Sequence, residues 1–340
     1  MKAASIKHLL GRTLWRLPFP FSAAKFLGSR YSLRCVLFHD VSDRRSSLTD
    51  GLGVTLNRKA FEDAIRFLAQ HYAPVGLEEV LHPSLLRKSS RQPVLVTFDD
   101  AYASVALEAA PICRKHGVPG LFFVNARFLD NRELALDNLV CHVANTFGFD
   151  PISTVASDVL KTKITLRSFT QIFGEFLPTL ALKARQAFYD GMANAAGGEP
   201  QQLAQQAGLY LTSAQLRELA SFNFEVGNHT YSHVYGRTLV GADFREEVDR
   251  NRSALESVTG NSIRAFSVPY GSSADLPPEL ARHLHQTGHE AAFLVESLTN
   301  TPSTDLGHLY RVSIAAADDA DLFSELEIMP RLRSIRDALL

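Results

Sequence analysis

The sequence predicts an α/β fold in which parallel strands close into a barrel, and three observations support this prediction. Seven short apolar runs alternate with helix-like segments, which is the pattern of repeated strand–helix units and a parallel sheet. Polar residues directly follow several of these runs, at the strand ends where α/β folds keep their functional groups. No Gly-x-Gly-x-x-Gly follows the first run, so a closed or nearly closed barrel fits better than an open doubly wound sheet.

The expected elements follow from apolar runs, helical spacing and capping residues. Strands are expected at residues 34–38, 93–98, 120–124, 222–226, 265–268, 291–295 and 309–314. Helices are expected at residues 58–71 (capped by Asn57), 102–116, 213–220 (capped by Ser213), 243–259, 277–287 and 318–336 (broken at Pro330). Residues 131–212 are mostly of helical composition with few convergent polar residues, and we interpret them as an insertion rather than a catalytic unit.

The composition limits the classes of protein to consider. With 46% hydrophobic content, the 340 residues can bury one barrel-sized core or two smaller ones. The formal net charge of −1 argues against nucleic-acid binding, which requires a basic excess. Cys35, Cys113 and Cys141 cannot all pair within the chain and lack the close spacing of metal ligands, so we expect buried free thiols in a reducing compartment.

Residues 1–33 form a basic, amphipathic N-terminal segment in which every charged residue is Lys or Arg. Apolar residues recur at helical spacing between residues 6 and 17, so residues 1–30 could attach the protein peripherally to an anionic membrane surface. The alternative is that residues 6–17 form a helix packed on the folded body. Arg12 and Arg16 argue against a cleavable signal peptide, and no apolar run is long enough for a transmembrane helix. We therefore expect a cytoplasmic protein, at the inner face of the membrane if the segment binds lipid.

Two adjacent carboxylates, Asp99 and Asp100, follow the apolar run at residues 93–98. Side chains alternate along a strand, so the two cannot point the same way unless the chain is already turning, and we expect them to have different roles. The alternative is that one caps the following helix and the other is solvated.

His229 and His233 lie four residues apart just after another strand. If that segment is helical, the two imidazoles share one face and could bind one metal ion; the alternative is a surface or capping role. In a parallel barrel these histidines and the Asp99–Asp100 pair lie on one rim. One carboxylate and two imidazoles leave room for water, as expected of a catalytic divalent metal.

Three motifs in this order, Thr97–Asp100, Gly227–His233 and Phe266–Gly271, resemble those of the polysaccharide deacetylase family, also called NodB-homology or carbohydrate esterase 4. Val36–Asp40 resembles the first-strand motif of members with a longer N-terminal layout. The resemblance covers roughly residues 34–128 and 210–315. It implies an α/β fold of the distorted, NodB-like (β/α)7 barrel type over residues 34–340, with a mostly helical insertion at about 131–212.

The resemblance also implies a reaction and roles for individual residues. Asp99 would be the base that takes a proton from a metal-activated water, and Asp100, His229 and His233 would bind the metal, Zn2+ in the first place and otherwise Co2+, Ni2+ or Mn2+. The backbone N–H of Tyr270 would stabilise the oxyanion, Pro269 with Tyr270 would shape the sugar-binding wall, and Thr230 would support the metal ligands. The reaction would remove N-acetyl groups from an amino-sugar-containing polysaccharide or glycan precursor. His39 and Asp40, which end the first strand, are weaker site candidates.

The sequence departs from the family pattern at two positions. Many members carry an Arg shortly before the Pro-Tyr pair that orients the catalytic Asp, whereas this chain has Ser267 and Val268 there; Arg311 or Arg264 could substitute. The general-acid His expected in a Leu-x-His context is also not evident after Arg311, which leaves His39, His283, His285, His289 and His308 available. These departures keep two alternatives open: a catalytically impaired carbohydrate-binding or assembly protein, and a hydrolase of a non-sugar amide or ester.

Overall fold

The computed structural model describes residues 11–17, 32–82, 84, 91–222, 224–315 and 318–333. Seven parallel strands form the wall of the barrel, and the first pairs with both the second and the last, which closes it as predicted. A two-residue strand, Ala73–Pro74, extends the sheet beside the second strand, and Asp40–Val41 pairs separately with Thr55–Leu56. The barrel strands are β1 Arg34–Phe38, β2 Pro93–Phe98, β3 Gly120–Val124, β4 Phe224–Asn228, β5 Ala265–Ser267, β6 Ala291–Leu294 and β7 Leu309–Ser313.

Helices connect the strands on the outside of the barrel. The α-helices are α1 Arg58–His71, α2 Leu77–Leu81, α3 Ala110–Lys115, α4 Leu136–Phe147, α5 Asp150–Leu160, α6 Leu182–Ala195, α7 Pro200–Ala207, α8 Ser213–Ser221, α9 Arg250–Thr259, α10 Pro278–Gln286 and α11 Asp319–Phe323. Wider π-helical turns lie at Val105–Ala109, Thr170–Phe176, Arg245–Asp249 and Ser324–Ile328. Helices α4 to α7 lie within the predicted insertion at residues 131–212, so this segment is mostly helical, as expected.

The alternation of side chains along β2 shows how the barrel wall is built. Val94, Val96 and Phe98 face outward and join the apolar core between the strands and the helices. Leu95 faces inward and packs with interior residues such as Phe123 and Phe293. Because alternation has a period of two, Thr97 and then Asp99 continue the inward series toward the carboxyl end. The strand thus places one carboxylate inside the barrel mouth.

Two local predictions about helix ends are wrong. Thr212, not Ser213, caps α8: its hydroxyl accepts the backbone N–H of Gln215, whose side chain accepts the N–H of Thr212, a capping box. Pro330 does not break the closing helix, because residues 329–333 remain helical. The π-helical turn immediately before it widens the helix where the proline ring would otherwise meet the carbonyl of the preceding turn.

The described part of the N-terminal segment packs on the folded body. Residues 11–15 are helical, and the Trp15 ring lies 5.7 Å from that of Phe67 and 5.5 Å from that of Phe323. Arg12 pairs with Asp318 and Asp321 at 3.1 and 3.0 Å. Membrane attachment stays a prediction for residues 1–10 and 18–31, which lie outside the described residues. No helix in the described ranges is both long and apolar enough to span a bilayer.

The three cysteines are buried and unpaired, in agreement with the prediction. Burial in apolar surroundings raises the pKa of the Cys35 thiol to about 12, since desolvation outweighs the nearby arginine charges. Such thiols remain protonated and unreactive at neutral pH.

A buried ion cluster fastens the C-terminal helix to the barrel. Glu327 pairs with Arg34 of β1 at 3.1 Å and with Arg331 at 2.8 Å, and it accepts a hydrogen bond from the Tyr72 hydroxyl at 2.8 Å. The Glu327 and Arg34 side chains are each only 1% exposed. The carboxylate therefore compensates two buried positive charges at once.

Replacing Glu327 with Gln should lower the free energy of unfolding by about 3–5 kcal/mol, because it leaves buried guanidinium charges uncompensated. Urea denaturation measures the change, with the exposed Glu279→Gln on α10 as the matched control. A loss no larger than that of the control would show that the cluster does not stabilise the fold.

Candidate active site

The carboxyl ends of the strands surround a cavity of about 240 Å³ at the barrel mouth. His39 follows β1, Asp99 and Asp100 follow β2, and His229 and His233 follow β4; all five line this cavity. The expectation that these residues share one rim is therefore confirmed.

The chain turns sharply at Asp100, which brings both carboxylates into the same site. Asp100 has φ 73° and Ala101 has φ 58°, a left-handed conformation that few non-glycine residues adopt. A straight strand would have pointed Asp100 away from Asp99. The chain therefore turns between the two residues, as is required for neighbouring side chains to point into the same site.

Left-handed backbone recurs at three further site residues, namely Thr230 (φ 60°), His233 (φ 53°) and Tyr270 (φ 61°). Such conformations cost about 1–3 kcal/mol each and persist only where surrounding contacts enforce them. Their concentration around one cavity supports the assignment of this rim as a functional site.

The segment after β4 is an irregular turn and not a helix, so the helical condition on which the shared face depended is not met. The left-handed residues curl the chain instead and bring the rings of His229 and His233 to a centroid distance of 4.9 Å. The Thr230 hydroxyl accepts the N–H of Val234 at 3.3 Å, and the Thr230 carbonyl accepts the Asn125 amide at 2.9 Å. Thr230 therefore supports the turn that carries both histidines.

Both imidazoles present Nε2 to Asp100. His229 Nδ1 lies 2.9 Å from the carbonyl of Ser267, and His233 Nδ1 lies 2.6 Å from Asp137 Oδ2, so each Nδ1 is assigned as the donor. Each Nε2 lies 3.4 Å from Asp100 Oδ1. Both Nε2 atoms thus lie at the same distance from one carboxylate oxygen.

This donor set fits a divalent metal. The three candidate ligand atoms of Asp100, His229 and His233 all lie within 4.8 Å of one another. Two ligands of a tetrahedral Zn2+ at about 2.0–2.1 Å from the ion are about 3.4 Å apart, which matches the separations from Asp100 Oδ1. Two His and one carboxylate with an open position is a ligand set of catalytic zinc.

The charges of the site are strongly coupled. Burial raises the pKa of Asp100, but the attraction of His233 and the close approach of His229 outweigh it and leave the pKa below its usual range. Burial lowers the pKa of His233, but Asp100 and Asp137 outweigh it and leave the pKa raised. The site therefore attracts positive charge, as a cation site requires.

Arg311 on β7 holds Asp99, which follows β2; the two strands are separated only by β1. Its Nη1 and Nη2 donate to Asp99 Oδ1 and Oδ2 at 2.7 and 2.8 Å, a bidentate pair in which Arg311 is fully buried. Ser267 donates to Asp99 at 3.1 Å and accepts from Arg311 at 2.6 Å. Burial raises the pKa of Asp99, but Arg311 and His229 outweigh it and leave the pKa lowered.

Of the two arginines proposed to orient Asp99, only Arg311 does so. Arg264 lies at the amino end of β5, where it contacts Glu78. Ser267, one of the two positions where the resemblance implied an arginine, instead accepts a hydrogen bond from Arg311.

His39 and Asp40 point to opposite sides of the first strand. His39 lines the cavity, and neither of its ring nitrogens has a hydrogen-bond partner among the described residues. Asp40 instead accepts hydrogen bonds from Thr55 at 2.8 Å and Ser104 at 2.7 Å, outside the cavity. Alternation therefore assigns His39 to the site and Asp40 to the support of the neighbouring loop.

Tyr270 forms one wall of the cavity, whereas Pro269 is buried and is not among the described residues that line it. The Tyr270 ring stacks on Tyr235 at a centroid distance of 3.6 Å and lies 4.7 Å from the His233 ring. Its hydroxyl donates to Asp137 Oδ1 at 2.8 Å. Burial raises the pKa of Tyr270 well above its usual value, so the hydroxyl stays protonated.

The sequence reasoning missed two site residues, both in the insertion. Asp137 on α4 contacts His233 and Tyr270, and Arg185 on α6 donates to the carbonyl of His233 at 2.7 Å. The expectation that the insertion offers few convergent polar residues is therefore wrong. No motif marks either residue, because each lies within an otherwise ordinary helical pattern.

The remaining candidate histidines lie away from the cavity. None of them is among the residues that line it within the described ranges: His283 and His285 are on α10, His289 follows α10, and His308 precedes β7. His39 is thus the one additional histidine that the described cavity wall contains.

The sequence model of a family described as polysaccharide deacetylase matches residues 87–292, more than half of the chain. No curated protein sequence matches the chain.

Solved structures share the barrel at low sequence identity. The Streptococcus pyogenes deacetylase PplD in complex with acetate aligns with a TM-score of 0.58 and 12% identity, over 88% of this chain and 100% of that chain. IcaB from Ammonifex degensii aligns with a TM-score of 0.55 and 19% identity, over 87% of this chain and 97% of that chain. The BpsB deacetylase domain from Bordetella bronchiseptica aligns with a TM-score of 0.50 and 18% identity, over 84% and 97%. These similarities establish a common fold.

Proposed function

The chain belongs to the polysaccharide deacetylase family, and on this premise we propose that it removes N-acetyl groups from amino-sugar units of a polysaccharide or glycan precursor. Asp100, His229 and His233 bind the divalent metal, with Zn2+ the preferred ion. Asp99 is the base, and Tyr270, which follows the buried Pro269 in the chain, shapes the wall against which the sugar lies.

One observation carries the proposal: a carboxylate fixed by a buried arginine lies beside three convergent metal-ligand atoms in a single cavity. Asp99 Oδ2 lies 3.7 Å from His229 Nε2, so the Asp99 carboxylate and the ligand atoms lie side by side in the same cavity. A purely structural ion pair would not require the left-handed backbone around this cavity, nor His39, which has no hydrogen-bond partner among the described residues.

A bound divalent metal would lower the pKa of a water to about 7 and polarise the amide carbonyl. Arg311 and Ser267 occupy three of the roughly four acceptor positions of the Asp99 carboxylate and leave one on Oδ1. Asp99 is therefore held ionised and oriented, with an acceptor position free to receive the proton of the attacking water. The backbone N–H of Tyr270 donates to the carbonyl oxygen as negative charge develops on it.

His39 supplies the proton to the leaving amine. Burial lowers the pKa of His39 and outweighs the attraction of Asp100 and Asp99, which leaves the pKa lowered. A ring nitrogen without a protein partner can bond to the substrate nitrogen, whereas His229 and His233 are already committed to Ser267 and Asp137.

Acetate release from N-acetylated glycans tests the proposal. Purified protein of known zinc content is incubated with chitin oligomers, peptidoglycan, an exopolysaccharide and a lipid-linked precursor, and each de-N-acetylated glycan serves as its blank. We expect zinc-dependent acetate release with a matching gain of free amines from at least one of them. Absence of acetate from every N-acetylated sugar, with zinc bound, would refute the proposal.

Replacing His39 with Gln should reduce kcat on an N-acetylated sugar by about 10²–10⁴-fold, because protonation of the amine is lost. Activity on 4-nitrophenyl acetate should change far less, since nitrophenolate leaves without a proton. His308→Gln, at a half-exposed position outside the cavity, is the control. Equal losses on both substrates would argue against proton donation by His39.

The alternative of an impaired binding protein depended on the missing arginine and the unplaced general acid. Arg311 contacts Asp99 and His39 faces the cavity, so both reasons for that alternative weaken. No described contact favours a non-sugar amide or ester over an N-acetylated sugar.

A further inference from the structure

We infer that Asp137, contributed by the insertion, positions the metal ligand His233 and the wall residue Tyr270 together, so the insertion is part of the catalytic centre. The inference rests on the proposed function, because it assumes that His233 binds a metal. It assigns Asp137 as a positioning residue that acts through its two neighbours.

The contacts of Asp137 are short and divided between its two oxygens. Oδ2 accepts from His233 Nδ1 at 2.6 Å, and Oδ1 accepts from the Tyr270 hydroxyl at 2.8 Å. The Asp137 side chain is only 13% exposed. A carboxylate on Nδ1 fixes the tautomer and the orientation of the ring and increases the basicity of Nε2, the atom that faces Asp100.

Helix α4 holds Asp137 rigidly in place. Asp137 lies in the first turn of α4, where the helix dipole favours a negative charge. The adjacent Asn138 donates to the Tyr102 hydroxyl at 3.0 Å and to the Leu48 carbonyl at 2.9 Å, and it accepts from the Tyr210 hydroxyl at 2.6 Å. These bonds tie the start of the helix to the barrel rim, so the carboxylate is presented at a fixed position.

A second residue of the insertion contacts the same ligand. Arg185 on α6 donates to the main-chain carbonyl of His233 at 2.7 Å and is buried. The insertion therefore holds both the ring and the backbone of His233, a residue in left-handed conformation. This support explains how the strained backbone is maintained.

The other histidine ligand is supported differently. His229 Nδ1 bonds the carbonyl of Ser267, which belongs to strand β5 of the barrel. One ligand is thus positioned by the barrel and the other by the insertion. A change at Asp137 should disturb His233 and leave His229 in place, which makes the effect on the metal specific and partial.

Metal affinity tests the inference without requiring turnover. The zinc dissociation constant of Asp137→Ala, Asp137→Asn and wild type is measured by competition with a chromogenic chelator, together with the visible spectrum of the Co2+-loaded proteins. Asp158→Asn, an exposed position on α5 of the same insertion, is the matched control. Thermal unfolding of the metal-free proteins reports whether each variant folds.

We expect Asp137→Ala to bind zinc about 10–100-fold more weakly, with an altered Co2+ spectrum. Asp137→Asn should lose less, since its amide oxygen can still accept from His233, and it serves as the second variant if Asp137→Ala does not fold. Zinc affinity and Co2+ spectra equal to wild type in a folded variant would overturn the inference alone. A wild-type protein that binds no zinc would overturn the proposed function. If the wild type releases acetate but the variants bind zinc as tightly as it does, the proposed function stands and only the role of Asp137 is refuted.

Discussion

Replacing Asp99 with Asn should reduce turnover of an N-acetylated sugar by about 10²–10⁴-fold, since an amide cannot accept the proton of the attacking water. Zinc binding should persist, because Asp100, His229 and His233 are unchanged. The measurement is kcat on the glycan that releases acetate, with the zinc content determined on the same preparation.

Interpretation of this variant needs a stability control, because Asp99 is also the counter-ion of Arg311. The Arg311 side chain is 0% exposed, and an unpaired buried charge costs about 3–5 kcal/mol. The double variant Asp99→Asn/Arg311→Met removes both charges, so it should recover much of the stability lost in Asp99→Asn. Turnover should remain low in the double variant. Recovery of turnover together with stability would show that Asp99 matters for folding and not as a base.

The strands could be predicted from the sequence because parallel barrel strands are buried on both faces and therefore appear as apolar runs. The polar residue after each run then marks the rim, which is how His39, Asp99 and His229 were found. The direction of the strands could also have excluded Arg264 as the residue that orients Asp99. Arg264 precedes β5 and therefore lies at the amino end of the barrel, opposite the site. Arg311, in contrast, lies within β7. It pairs in register with Cys35 of β1, which faces the barrel interior.

The rest of the site depends on contacts that local patterns do not encode. Asp137 lies 96 residues before His233 in the chain and reaches it only because the insertion folds back over the rim. The left-handed turn at Asp100 is likewise enforced by the surrounding structure, since aspartate rarely adopts it unaided. Sequence reasoning therefore located the candidate metal ligands and the supporting Thr230, but not Asp137 or Arg185.

Removal of the metal should abolish deacetylation. Dialysis against a chelator such as dipicolinate, followed by metal analysis, should yield a folded protein without activity, and added Zn2+ or Co2+ should restore acetate release. Stabilisation of transition-state charge by a metal contributes several kcal/mol, so the loss should be about 10³-fold or more.

A ligand variant identifies where that metal acts. His229→Ala removes one of the three convergent ligand atoms and should lose both zinc and activity, whereas His285→Ala, exposed on α10, should lose neither. His229→Ala removes a ligand, whereas Asp137→Ala only misorients one, so His229→Ala should weaken zinc binding more. The His229 ring is held by the barrel and is independent of the contact that Asp137 makes. Activity that persists in protein stripped of metal, or zinc bound equally by His229→Ala, would place the chemistry elsewhere than at Asp100, His229 and His233.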